Sequence, residues 1–269
     1  MDTGRFTLLG VPIDSVGDAG GTENGPSALR RHFSSGLADA GDTRVRLRGA
    51  DRDPDSGWLD LGDVVRMSAE VRRRVADITA QGRVPLILGG CCSLLPAALA
   101  GARDSLGDVG LAYFDGHLDL FTGETSPTGE AADMPVAAVL GLAPPPLVEA
   151  LAPVPVVAPE RTVLFGARDA EEAALIAPLP DGLGIGRILD RESLRDADLA
   201  RTGASIAGDL SRDEGRFWLH LDVDVLDQGA FPATDYLMDD GLTRQELRTL
   251  IEPIAASRGL VGLNLTCFN

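Results

Sequence analysis

Two acidic clusters in this 269-residue sequence carry residue types and spacings that suit metal chemistry. Asp115, His117 and Asp119 follow the apolar run LAYF, and Asp222 and Asp224 follow FWLH. On an extended chain, residues two apart point to the same side, so each cluster is predicted to converge on one point. Carboxylates gathered in this way need cations, and a pair of divalent ions would balance their charge. The alternative is that they are solvated loop carboxylates of an acidic protein.

These clusters require strands that end at one edge of a sheet. Near-continuous apolar runs predict strands buried on both faces, as in a parallel sheet, at 6–13, 58–64, 84–90, 109–120, 162–169, 216–227 and 259–268. Helices are predicted at 68–82 and at 243–259, the second with a capping box formed by Thr243 and Glu246. Strands alternating with helices predict an α/β fold, in which ligands bind beyond the carboxyl ends of the strands. The Pro-rich stretch 143–159 is predicted to be a connection within one domain.

Composition excludes several classes of function. The net charge of −17, from 41 acidic and 24 basic residues, disfavours binding to nucleic acid or to a membrane surface. Three cysteines, two of them adjacent, do not form a disulfide framework and favour a reducing, cytoplasmic location. No signal peptide is evident, and the uncharged stretch 84–102 is interrupted by Pro and Gly, which predicts a strand, a turn and a helix rather than a membrane span.

Along almost its whole length the sequence resembles the ureohydrolase superfamily, which contains arginases, agmatinases and related amidinohydrolases. The motifs that carry the resemblance are GGTENGPSALR at 20–30, DLGD at 60–63, GGCCS at 89–93, DGHLD at 115–119 and LDVDVLD with FPAT within 221–234. The resemblance implies a single three-layer α/β/α domain over residues 1–269 with a mainly parallel central sheet. It also implies a homo-oligomer that acts on a small guanidino or amidino substrate.

The resemblance further implies a binuclear centre, usually of manganese, whose bridging hydroxide hydrolyses a C–N bond. Its metal ligands would be Cys92, Asp115, His117, Asp119, Asp222 and Asp224, and Asp119 would also orient the hydroxide and move its proton. The family has a His at the position of Cys92. A thiolate prefers zinc or ferrous iron to manganese, so the identity of the metal stays open. The alternative is that Cys92 is a small buried residue beneath a metal-poor site.

Other departures from the family pattern concern the substrate. The proton-shuttle His of the family falls on Ala132, which leaves Glu130 and Asp133 as candidate acids for the leaving amine. The substrate-binding positions fall on three residues, which are Thr128, Glu171 and Cys267. The family has a Glu that pairs with the guanidinium at the position of Cys267, so the substrate is expected to be less basic than arginine, as an N-hydroxyguanidine is.

The function predicted from the sequence is therefore metal-dependent hydrolysis of a linear guanidino or amidino C–N bond. The alternative is a non-catalytic homologue that acts as a binding or scaffold protein. His220, two residues before Asp222, is a further candidate for the site, although core packing is the more common role of a single His in a strand.

Overall fold

A parallel sheet of eight strands forms the centre of the molecule. The computed structural model of the chain describes residues 3–14, 20–33, 36–47, 49–169, 174 and 184–269. The strands are β1 (Phe6–Val11), β2 (Ala38–Asp42), β3 (Val84–Gly89), β4 (Val109–Phe114), β5 (Thr162–Phe165), β6 (Arg187–Leu189), β7 (Arg216–Asp222) and β8 (Leu260–Thr266). Their order is β2-β1-β3-β8-β7-β4-β5-β6, and every pairing is parallel. The predicted parallel α/β fold is confirmed.

Helices cover both faces of this sheet. They are α1 (Gly25–Arg30), α2 (Leu61–Ala80), α3 (Leu95–Leu106), α4 (Pro135–Val139), α5 (Pro145–Leu151), α6 (Arg191–Arg195), α7 (Leu199–Leu210) and α8 (Arg244–Ala255). Val71 of α2 and Leu99 of α3 share one apolar cluster with Leu9 and Ile87 of the sheet. On the other face, residues of α7 and α8 share a second cluster with Phe114. This arrangement is the predicted three-layer architecture.

No helix in the described ranges is both long enough and apolar enough to cross a bilayer.

The predicted strand at 58–64 is wrong. Leu59 makes only an isolated bridge with Arg52, and helix α2 begins at Leu61. The backbone of Asp60 is left-handed, with a φ of 47°, and turns the chain into the helix. The apolar side chains then recur at helical spacing along one buried face of α2, so the apolar run was the beginning of an amphipathic helix.

Other predicted elements are confirmed with different bounds. The runs 109–120 and 216–227 leave the sheet at Phe114 and Asp222, where the acidic clusters begin. The capping box of Thr243 and Glu246 is present at the start of α8. Strands β2 and β6 were not predicted. They lie at the two edges of the sheet and are largely exposed, so they lack the apolar runs of the buried strands. The Pro-rich stretch contains the short helix α5 and then leads to β5.

Candidate functional site

The four central strands bring polar side chains to one place at their carboxyl ends. Cys92 follows β3, Cys267 follows β8, Asp222 ends β7 and Asp115 follows β4. A cavity of about 220 Å³ opens beside them. Among the residues that line it are ten of the eleven predicted site residues, which are Cys92, Asp115, His117, Asp119, Thr128, Glu130, Asp133, Asp222, Asp224 and Cys267. The remaining one, Glu171, lies outside the described residues.

The two acidic clusters converge through turns rather than along extended strands. After β4, the backbone N–H of His117 donates to Asp115 Oδ1 at 2.8 Å, and Asp119 has a left-handed φ of 52°. After β7, the N–H of Asp224 likewise donates to Asp222 Oδ1 at 2.8 Å. An Asp side chain readily accepts from the backbone two residues on, which explains why the chain turns at both places. Three potential ligand atoms lie within 4.8 Å of one another, one each from Asp115, His117 and Asp119.

Four buried carboxylates give this site a strong negative charge. Asp115 and Asp222 are each 1% exposed, and Asp119 and Asp224 are 4% exposed. Burial, together with the charges of Asp224 and Asp115, raises the pKa of Asp222 well above its usual value. Burial and the charge of Asp115 also raise the pKa of Asp224. Without a cation, Asp222 and Asp224 therefore bind protons more tightly than isolated carboxyl groups do.

Among the described residues, His117 is the cationic side chain in direct contact with these carboxylates. Its Nδ1 lies 2.9 Å from Asp224 Oδ2 and 3.4 Å from Asp115 Oδ1. Burial would lower the pKa of His117, but its hydrogen bonds and charge interactions with these two carboxylates raise it far above the usual value. One imidazolium does not balance four carboxylates. The charge and the oxygen and nitrogen donors of the site therefore fit divalent metal ions.

Cys92 faces the carboxylates. Its Sγ lies 2.5 Å from Asp222 Oδ2 and 3.9 Å from Asp115 Oδ2. Burial and a hydrogen bond with Cys267 raise the pKa of the Cys92 thiol well above its usual value, so it keeps its proton unless a cation binds. A Cys that only filled the core would be surrounded by apolar groups, and its contacts with two carboxylates instead support a ligand role.

Tyr113 and His220 form the floor of the site beneath the metal-ligand candidates. The Tyr113 hydroxyl lies 2.8 Å from Asp115 Oδ2 and also contacts Asp119 Oδ2, so its one hydrogen is shared between the two carboxylates. The His220 ring stacks on Tyr113 with a centroid separation of 4.3 Å. Of these two residues, only His220 was a candidate from the sequence, and Tyr113 was not predicted. Each stands two residues before an Asp at a strand end, and that spacing was the available signal.

A chain of hydrogen bonds fixes the tautomer of His220. The Trp218 indole N–H, which can only donate, donates to Asn264 Oδ1 at 2.7 Å. The amide NH₂ of Asn264 therefore faces His220 Nδ1, at 2.7 Å, and donates to it. Because Nδ1 accepts, the neutral ring carries its hydrogen on Nε2, which is buried, lacks a hydrogen bond in the structure and lies 3.8 Å from Asp115 Oδ2. His220 thus presents an N–H group, and not a lone pair, to the carboxylates.

Replacing Asn264 by leucine is expected to destabilise the protein by about 2–5 kcal/mol, because it leaves the Trp218 N–H and His220 Nδ1 buried without partners. Urea denaturation would measure this loss in the free energy of unfolding. Asn24→Leu, at an exposed position, is the control and should change the value by less than about 0.5 kcal/mol. An equally small change for Asn264→Leu would contradict the role assigned to this hydrogen-bond chain.

Acidic side chains also line the mouth of the cavity. Burial and the charge of Asp133 raise the pKa of Glu130 to about 7, and burial is also the main cause that raises the pKa of Asp235 to about 7. Asp133 Oδ2 accepts hydrogen bonds from Ser126 and Thr128, at 2.8 and 2.9 Å, and so holds this loop together. The mouth is therefore suited to a cationic group, whose charge would favour the ionised carboxylates.

Comparisons with known proteins agree with this arrangement. The model of the arginase family matches residues 4–269. The arginase of Brevibacillus brevis is 29% identical over 259 residues, which are 93% of this chain and 86% of that protein. The solved arginase structure from Bacillus caldovelox has a TM-score of 0.87 and 28% identity, and the match covers 98% of this chain and 90% of that one. The arginase structure from Bacillus cereus gives 0.85 and 27%, with the same coverage.

Proposed function

Because the chain belongs to the arginase family, we propose that it is a metal-dependent hydrolase of a C–N bond in a small linear guanidino or amidino compound. One observation carries the proposal, namely that all the metal-ligand candidates line one cavity beyond the central strands. Cys92, Asp115, Asp119 and Asp222 would hold one ion, and His117, Asp115, Asp222 and Asp224 would hold the other. This intact set of ligand candidates favours an enzyme over a homologue that has lost its reaction.

The side chains of the site would have distinct roles in the reaction. When bound, the metal ions would lower the pKa of a water molecule to about 7 and so supply a hydroxide nucleophile. Asp119 would orient this nucleophile and accept its proton. The Tyr113 hydroxyl donates to Asp119 Oδ2 and so fixes the orientation of the Asp119 carboxylate.

The size and charge of the cavity support a proposal about the substrate. Its volume of about 220 Å³ suits a small molecule, and Asp235 at its mouth would attract a cationic end such as an amino group. Nearer the metal ligands, Cys267 is a neutral thiol rather than the acidic partner that a guanidinium would require. We therefore propose that the reacting amidine is less basic than the guanidine of arginine, with Thr128, Glu171 and Cys267 as substrate-binding positions.

Glu130 is the acid best suited to protonate the leaving amine, because a pKa of about 7 suits proton donation near neutral pH and Asp133 is committed to loop hydrogen bonds. Glu130→Gln is expected to lower kcat about 100-fold. In the wild type, kcat should fall as the pH rises above about 7, where Glu130 loses its proton, and this fall should be absent in the variant. Steady-state kinetics across pH would test both statements.

Glu124→Gln is the matched control, because Glu124 is exposed on the same loop. It should leave kcat and its pH profile unchanged. Unaltered kcat in Glu130→Gln would remove Glu130 from the mechanism and leave Asp133 as the remaining candidate acid.

A direct assay tests the proposed function. The purified chain, loaded separately with Mn²⁺, Zn²⁺ or Fe²⁺ under anaerobic conditions, would be incubated with arginine, agmatine, N-hydroxyarginine and smaller amidines. We expect release of an amine and a urea-type product from at least one compound, with the N-hydroxyguanidine preferred to arginine. No turnover with any metal and any compound would favour the binding or scaffold alternative.

Three finer expectations belong to this proposal. We propose manganese as the usual metal, with zinc or iron favoured if Cys92 binds as a thiolate. We also propose that the protein forms a homo-oligomer and is cytoplasmic, as the resemblance and the cysteine content suggested. Light scattering would test the oligomer, and cell fractionation would test the location.

A further inference from the structure

All three cysteines of the chain meet at the site, although they come from two distant segments. Cys91 and Cys92 follow β3, and Cys267 follows β8, the neighbouring strand. The three side chains are buried and pack as one cluster. Cys92 Sγ lies 3.5 Å from Cys267 Sγ, and Cys91 hydrogen-bonds with both. Three thiols with no disulfide, placed beside buried carboxylates, form an environment that suits a soft metal ion.

We propose that Cys92 and Cys267 together form a thiolate subsite that binds Zn²⁺ with Asp222 as an oxygen ligand. This inference rests on the proposed function, because it assigns ligands to the same metal centre. It differs from the assignment by resemblance, in which Cys267 contacts the substrate and Asp115 and Asp119 complete the ligands of this ion. The centre would then have one subsite with sulfur ligands for zinc and one with Asp115, His117 and Asp224 for a harder ion such as Mn²⁺.

The distances agree with this ligand set. Two thiolates on a tetrahedral zinc ion, each at about 2.3 Å, have their sulfur atoms about 3.8 Å apart. The observed separation of 3.5 Å therefore needs only a small adjustment of the side chains. Asp222 Oδ2, at 2.5 Å from Cys92 Sγ, would move outward to make room for the ion. Zinc binding would release the protons of both thiols to solvent.

The backbone of Cys267 holds its side chain in place for this role. Its φ of 59° is left-handed, an unfavourable conformation for a residue with a side chain. A hydrogen bond of 2.6 Å from the Cys267 N–H to the Gly90 carbonyl oxygen stabilises it and ties the end of β8 to the end of β3. The two sulfur atoms are thus brought together by the backbone as well as by packing.

His220 does not belong to this ligand set, although its ring lies within reach. Four potential ligand atoms lie within 4.8 Å of one another, one each from Cys92, Asp115, His220 and Asp222. A metal ion needs the lone pair of an imidazole nitrogen, and the hydrogen bond from Asn264 leaves a hydrogen on Nε2. The zinc ion would therefore keep a position open for water or substrate, as catalytic zinc sites do.

Cobalt substitution tests the subsite without relying on activity. Co²⁺ would be titrated into the metal-free chain and the thiolate-to-cobalt charge-transfer absorption measured in the near ultraviolet. We expect Cys92→Ser and Cys267→Ser each to lose about half of this absorption. Each should also weaken Zn²⁺ binding at least about 100-fold, because even the loss of a residue that only hydrogen-bonds to a metal ligand lowers metal affinity about 10- to 100-fold. Cys91→Ser is the matched control and should keep the full absorption.

Zinc-edge X-ray absorption of the wild type loaded with one equivalent of Zn²⁺, which does not depend on any variant folding, should count two sulfur ligands at about 2.3 Å. Full absorption in Cys267→Ser, or fewer than two sulfur ligands, would overturn the proposal. Equal losses in all three serine variants would also overturn the two-sulfur ligand set. A charge-transfer band without any amidine hydrolysis would contradict only the proposed function, and hydrolysis without a band would contradict only the thiolate subsite.

Discussion

Asp119→Asn is expected to lower kcat/KM at least about 1,000-fold, equivalent to about 4 kcal/mol of transition-state stabilisation. The variant removes the charge of a proposed metal ligand and the group that would accept a proton from the nucleophile. The fold should be unaffected, because asparagine tolerates the left-handed backbone of this position, with its φ of 52°, as well as aspartate does. Steady-state kinetics with the preferred metal and substrate would measure the loss.

Asp213→Asn is a closely matched control for this variant. Asp213 also has a left-handed backbone, with a φ of 55°, but it is exposed. Its replacement should leave kcat/KM unchanged. The metal-free Asp119→Asn protein should be no less stable than the wild type in urea, because the change removes one of four buried like charges. Full activity in Asp119→Asn would refute the proposed metal-centred mechanism.

Removing the metal is expected to make stability depend strongly on pH. Asp235 has a pKa of about 7 in the folded chain and an ordinary value of 3.8, so between these values the folded state binds more protons than the unfolded state. The raised pKa values of Glu130, Asp222 and His117 act in the same direction in their own pH ranges. The free energy of unfolding of chelator-treated protein should therefore fall by at least about 2 kcal/mol from pH 5 to pH 8. Glu130 is partly exposed, so solvent screening reduces its contribution.

Metal ions should reverse this loss. A free ion at about 1,000 times its Kd stabilises the folded state by about 4 kcal/mol, and the gain grows with pH because protons compete for the ligands. Urea titrations at pH 5 and pH 8, with chelator and with metal, would measure the difference. Asp235→Asn should reduce the pH dependence of the chelated protein, whereas Asp55→Asn, at an exposed position, should not. Stability curves that stay parallel with and without metal would contradict a buried metal centre.

The metal-ligand candidates could be predicted because they form local motifs at the ends of buried strands. A strand that is covered on both faces must be almost wholly apolar, so an Asp directly after it is conspicuous in the sequence. Asp115 and Asp222 are such residues, and the structure places both at the same edge of the sheet. Their convergence was expected from extended alternation, but it depends on hydrogen bonds from the next turn of the chain.

The remaining parts of the site depend on which strands are neighbours, and sequence order does not give that information. Trp218 and Asn264 are 46 residues apart, yet their hydrogen bond orients the His220 ring. Cys92 and Cys267 are 175 residues apart and meet because β8 lies next to β3. The strand predicted at 58–64 was wrong for another reason, because a short apolar segment does not distinguish a strand from the first turn of a helix.

The position of β8 in the sheet also has a consequence for how the chain folds during synthesis. This strand, Leu260–Thr266, pairs with β3 on one side and β7 on the other, so it joins β2-β1-β3 to β7-β4-β5-β6. Until it has been translated, these two halves of the sheet have no strand to join them, and any half that forms would expose an unpaired apolar edge that is prone to aggregate. The ribosome must therefore translate β8 before the two halves of the sheet can join and the metal-ligand candidates can assemble.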